Sequence, residues 1–212
     1  MLEVSGKRIT PLYFDIAKHL CIIFAILIIP LSLILPEKLS WENGFLENLQ
    51  VFILSVGFLT SFIFYKQSYG DEIHSMWLTV SGLFLLLIGR ELSWGRAFFQ
   101  TKMTENRPEF ISMDQLPYYL LMDIVIAFFV AVVGVGVLST ISWRKIFFEI
   151  PFPKAYITLV FIGTIFTIAG DHGWIFPKAQ GETIEELGEL LIYFLLNEIN
   201  LYYHYYLKKR ES

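Results

Sequence analysis

The chain has 212 residues, 55% of them hydrophobic and 17% charged, with a formal net charge of −4. A soluble domain of this length carries about 25% charged residues. Here the charges cluster between long apolar runs, which excludes an ordinary soluble globular protein. The pattern predicts an all-α, polytopic membrane helical bundle, one integral membrane domain over residues 1–212.

In chain order, residues 9–18 mix Tyr13, Phe14 and Ile16 with Asp15 and Lys18, as an interfacial lead-in does. The first apolar segment covers residues 16–35. Basic residues precede it, as in a signal peptide, but it reaches spanning length and lacks a small-residue cleavage site, so it reads as a retained helix. Pro30 predicts a kink rather than a break, because apolar residues continue beyond it. Cys21, the single cysteine, has no partner for an intramolecular disulfide and reads as packing.

Five more transmembrane segments are expected at 45–65, 76–95, 118–140, 155–169 and 184–206. Each is near the ~20 residues that cross ~30 Å of hydrocarbon. The fifth is short and further weakened by Thr164 and Thr167. The longest connection, 96–117, is expected to form a short interfacial helix or cap, limited by Pro108 and Pro117. Ala127, Ala131 and Gly134 would give the fourth helix a small-residue face for close packing, and Gly163, Thr167 and Gly170 would do so for the fifth.

Orientation follows from Lys and Arg. With the amino terminus inside, the inner side holds Lys7, Arg8, Lys18, Lys66, Arg144, Lys145, Lys154, Lys208, Lys209 and Arg210. The outer side holds Lys38, Arg96, Lys102, Arg107 and Lys178. This excess favours both termini in the cytoplasm. Tyr202, Tyr203, Tyr205 and Tyr206 before Lys208 read as an aromatic belt with a basic anchor.

The last segment carries polar groups at helical spacing. Glu182, Glu186, Glu189, Tyr193, Asn197, Asn200 and His204 follow one another by three or four residues and share one helix face. The residues between them, including Leu187, Leu191 and Leu195, are apolar enough to face lipid. Polar atoms in hydrocarbon cost several kcal/mol unless satisfied, so the stripe must face protein, water or a ligand.

On this topology other costly residues fall at the same outer depth. They are Glu42, Glu47 and Asn48 of the second helix, Arg90, Glu91, Trp94 and Arg96 of the third, and Asp123 of the fourth. Asp171, His172 and Trp174 follow the fifth, and Glu182, Glu185, Glu186 and Glu189 open the sixth. Arg90 would lie about 7 Å inside the boundary if its helix ends near Gly95. A Glu from the second or sixth helix is its natural partner. First-turn acids also suit a helix dipole, which accounts for Glu182 and Glu185 but not for Glu189.

The residues WENGFLEN in the second segment, GRELSW in the third and ETIEELGELLIY in the sixth resemble those of a loose group of small bacterial multi-pass membrane proteins. The resemblance covers most of the chain and implies no activity. It implies shared positions at Glu47, Arg90, Glu91, Glu185, Glu186 and Glu189. The EExxxR of intramembrane CAAX-type proteases is absent, because position 190 is Leu.

The leading functional expectation is a carrier or binding protein for a small polar or cationic solute, open to proton coupling. Its site would use Glu47, Asn48, Arg90, Glu91, Glu185, Glu186, Glu189, Asp171 and His172, with a polar path through Tyr193, Asn197 and Asn200. One alternative is an intramembrane, metal-dependent enzyme acting on envelope or lipid-linked substrates. Another is a structural subunit of a membrane complex. The expected partners are the lipid bilayer and the small ligand, without nucleic acid; no cofactor is readable from the sequence.

Overall fold

The computed structural model describes residues 6–103, 108–116, 118–173 and 176–211. Among them are six α-helices: α1 (Gly6–Ile34), α2 (Phe45–Gln67), α3 (His74–Glu91), α4 (Tyr119–Thr140), α5 (Lys154–Asp171) and α6 (Lys178–Glu211). Four helices are long and apolar enough to cross a membrane: α2, α4, α5 and the Pro11–Ile34 part of α1. α3 is diluted by His74, Arg90 and Glu91, and α6 by its acids.

The chain divides into two compact units, Met1–Glu37 with Ile150–Ser212, and Lys38–Glu149. In the first unit α1, α5 and α6 pack together. α5 and α6 run antiparallel with their backbones nearly touching. A Cβ built on Gly170 would lie 2.5 Å from the Gly181 carbonyl oxygen, and one on Gly188 would lie 2.9 Å from Thr167 Oγ1. Gly163, Thr167 and Gly170 form the α5 side of this contact. Glycine is needed because any side chain would force the helices apart.

α1 packs antiparallel to α6. Phe14 sets its ring edge-on to Tyr202 at 5.3 Å, and also meets Tyr205. The Tyr156 hydroxyl of α5 donates to the Phe14 carbonyl at 2.7 Å. The beginnings of α1 and α5 therefore lie beside the end of α6. The helix of α1 continues through both Pro11 and Pro30.

In α6 the expectation that the intervening leucines face lipid is corrected. Leu187, Leu191 and Leu195 are buried, and Phe194 is exposed. The helix is enclosed on two adjoining faces, one apolar and one polar, so both turn toward protein.

In the second unit α2 and α3 pair antiparallel. Phe84 fills the space over Gly57, and Phe64 meets Trp77 edge-on at 5.2 Å. α4 joins α3 through Thr79 and Thr140, whose hydroxyls are 2.9 Å apart, and through Gly136 against Thr79. Its contact face is thus Val133, Gly136 and Thr140. The expected face of Ala127, Ala131 and Gly134 is exposed, with nothing near a Cβ on Gly134.

The expected helix over 76–95 ends early. Ser93, Trp94 and Gly95 have φ of +45°, +52° and +97°, which no α-helix accommodates, so α3 stops at Glu91. Arg90 sits in its last turn rather than about 7 Å inside the helix end. The following connection holds short 3₁₀ turns, and a strand pair replaces the expected interfacial helix. β1 (Gln100–Met103) runs antiparallel to β2 (Pro108–Phe110), with Lys102 opposite Glu109.

Candidate functional site

Two seams run along α6. Ile184, Leu187, Leu191 and Leu195 step by three or four, all buried, and the same seam arrives at Glu198. Beside it lie Glu189, Tyr193, Asn197 and Asn200, also buried. From Glu189 to Asn200 this polar seam extends about 16 Å at 1.5 Å per residue. Asn197 Nδ2 donates to the Tyr193 carbonyl at 2.9 Å, so part of its amide is satisfied within the helix. Glu182, Glu185, Glu186 and His204 are partly exposed.

Glu198 is the acid that the three-and-four stepping from Glu182 passes by, through its neighbour Asn197. It is 2% exposed. Its Oε1 accepts a hydrogen bond from the Tyr13 hydroxyl of α1 at 2.7 Å. Its Oε2 has no hydrogen-bond partner among the described residues. A signal in the sequence marks it all the same: a single acid between Asn197 and Ile199 in the apolar stretch of the last helix, where an ionisable group is expensive.

Elsewhere in this unit, Asp171 and His172 are exposed at the end of α5. His172 Nδ1 hydrogen-bonds to the Ile168 carbonyl at 3.0 Å and lies 3.5 Å from Asp171 Oδ2, an arrangement that finishes the helix. Trp174 lies outside the described residues. An apolar groove of about 670 Å³ separates α1 from α5, lined by Ile22, Ala25, Ile29, Thr158 and Ile162 with Lys154 at its rim; it contains none of the α6 acids.

In the second unit, the residues of WENGFLEN build the start of α2. Asn43 takes φ +58°, a left-handed conformation its short amide side chain tolerates. Its N–H donates to Glu47 Oε2, and Asn48 Nδ2 donates to the Gly44 carbonyl at 2.7 Å. These bonds tie the Asn43–Gly44 turn to the first turn of α2, which has no side-chain cap of its own. Glu42 pairs with Arg96, and Asn43 Nδ2 reaches the Ala97 carbonyl at 3.3 Å, tying this turn to the segment after α3.

GRELSW is explained in the same way. The Trp94 indole folds back over α3, and a Cβ on Gly89 would be 2.5 Å from its ring. Glu91 is buried at 8% exposure, whereas the Arg90 side chain is 55% exposed, with its Nε 3.7 Å from Glu91 Oε1. The structure therefore sets Arg90 against its sequence neighbour. Glu47, Asn48, Arg90 and Glu91 belong to this unit, and Asp171, His172, Glu185, Glu186 and Glu189 to the other.

No protein-family model, curated protein or solved structure matches the chain. Among the described residues, no group of three or more His, Cys, Asp or Glu is placed to hold a metal ion.

Proposed function

We propose that the chain is a six-span protein of a bacterial cytoplasmic membrane that binds and carries a small cationic solute in exchange for protons. The observation that carries this reading is the buried polar seam of α6, with Glu189 at 6% exposure and Asn200 at 5%. Ionisable and amide groups enclosed within membrane helices are rare and mark ion or substrate pathways more often than packing. A carboxylate followed by amides is suited to a cation, which it can neutralise and partly desolvate.

Two features support the span number. α3 has 18 residues and α6 has 34, or about 27 and 51 Å at 1.5 Å per residue, against ~30 Å of hydrocarbon. The beginning of α1 lies beside the end of α6, as an even number of crossings requires. Lys18, Lys154, Lys208 and Lys209 gather toward that end, which favours its placement in the cytoplasm.

The metal-dependent enzyme lacks comparable support, since two of its candidate ligands, Asp171 and His172, are exposed at a helix end. The test is transport by purified protein in liposomes enclosing a pH-sensitive dye. Na⁺, K⁺, guanidinium and tetramethylammonium are added outside in turn. At least one should drive protons out of protein-containing liposomes and none should do so in empty ones. No proton movement with any of the four, together with no heat of binding, would contradict the reading.

A further inference from the structure

Among the described residues Glu198 is the most completely buried acid of the first unit, and the other acids of α6 do not account for it. It stands at the end of the apolar seam Ile184–Leu187–Leu191–Leu195, at a position where the repeat calls for another leucine. Three groups that can titrate face it: Tyr13 and Cys21 from α1, and Tyr156 from α5. Tyr13 is its sole hydrogen-bond partner, and no Lys or Arg pairs with it, among the described residues. The Tyr156 hydroxyl is occupied by the Phe14 carbonyl.

An ionised carboxylate here would keep one oxygen solvated by a single phenol and leave the other bare. Burial of that kind costs several kcal/mol, and the ordinary resolution is neutralisation of the group. Placing a proton on Oε2 removes the charge and leaves Oε1 a carbonyl oxygen, the acceptor the Tyr13 hydroxyl already uses. From this geometry we infer that Glu198 is a proton-binding site, holding its proton on Oε2 at neutral pH and positioned by Tyr13.

Its place in the fold gives the proton a way out. Tyr13 begins the apolar part of α1, and Tyr202, Tyr205 and Phe14 ring the same end of the bundle. Glu198 sits about one helical turn beneath this aromatic layer, so rotation of the Tyr13 side chain away from it, with a turn of the carboxyl group about its Cγ–Cδ bond, would bring the protonated oxygen toward the interface. Its assignment as the proton exchanged for the carried cation rests on the carrier reading. Binding of the proton itself does not.

Infrared spectroscopy of the full chain in liposomes tests the inference. Wild-type protein should show a protonated-carboxyl C=O band at neutral pH that shifts in D₂O and disappears as pH is raised. Glu198→Gln should lack it. Tyr13→Phe removes the hydrogen bond to Oε1 but not the carboxyl, so the band should persist and move to higher frequency, an assignment that stands even if Glu198→Gln fails to fold. A wild-type spectrum without this band, or a band unmoved in Tyr13→Phe and retained in Glu198→Gln, overturns the proposal. The band without cation-driven proton flux retires the carrier and keeps the proton site; flux without the band keeps the carrier and places its proton elsewhere.

Discussion

Arg90 and Glu91 are neighbours in the chain and opposites in environment. The acid is buried at the end of α3, while the guanidinium reaches the surface. What holds this helix end is the Trp94 indole, laid over Gly89 by three consecutive left-handed residues. Gly89→Val therefore forces the ring off its seat. Overpacking of this kind costs about 1–3 kcal/mol, measurable as reduced resistance to chemical unfolding in detergent, while Gly89→Ser should cost less. At the opposite end of that unit Lys145 pairs with Glu72 and holds its carboxyl below the usual carboxylate range. A carboxyl lowered in the folded state contributes stability above its ordinary value near 4, and that contribution is lost as pH falls through the lowered one. The pair is exposed, so the effect is small. A melting-temperature difference between wild type and Glu72→Gln should be present at neutral pH and vanish in acid; a difference that grows in acid would contradict the pairing.

At the scale of the helix, close packing was legible where small residues fall on a face that a partner also presents. Gly163, Thr167 and Gly170 meet Gly181 and Gly188 of α6. The equivalent spacing in α4 is exposed instead, because Thr79 and Thr140 set that contact one face away. Periodicity identifies a face but not its neighbour. Gly170→Leu or Gly188→Leu should destabilise the protein by about 1–3 kcal/mol or more, whereas Gly134→Leu should stay within about 0.5 kcal/mol; thermal unfolding in detergent compares them directly. The polar seam of α6 was legible from its spacing, since Glu189, Tyr193, Asn197 and Asn200 recur by three and four. Glu198 was not, because it belongs to the apolar seam, and only its cost in a membrane marks it. In the sequence, WENGFLEN and GRELSW look like places where costly groups converge, yet much of their chemistry is spent locally. Glu47 accepts from the Asn43 N–H and Asn48 donates to the Gly44 carbonyl in the turn that leads into α2, and Gly89 makes room for Trp94. Left-handed backbone at Ser93 and Trp94 has no sequence signature, since neither residue favours it, so the end of α3 could not be placed from composition.

For the whole molecule, the antiparallel pairing of α1 with α6 makes a topological prediction. A reporter active only in the cytoplasm should work when fused to either end of the chain and fail when inserted between α1 and α2. Activity at one end alone would remove a span from the proposed six. The proposed carrier works along the enclosed polar seam of α6 and not through the exposed Asp171–His172 pair. Cation-driven proton flux in liposomes, compared between Glu189→Gln and Asn200→Leu on one side and Asp171→Asn and His172→Ala on the other, tests it most directly. The first two should fall by at least about tenfold, a loss of about 1.4 kcal/mol, with the other two close to wild type. Flux that survives in Glu189→Gln and Asn200→Leu but is lost in Asp171→Asn or His172→Ala would contradict it.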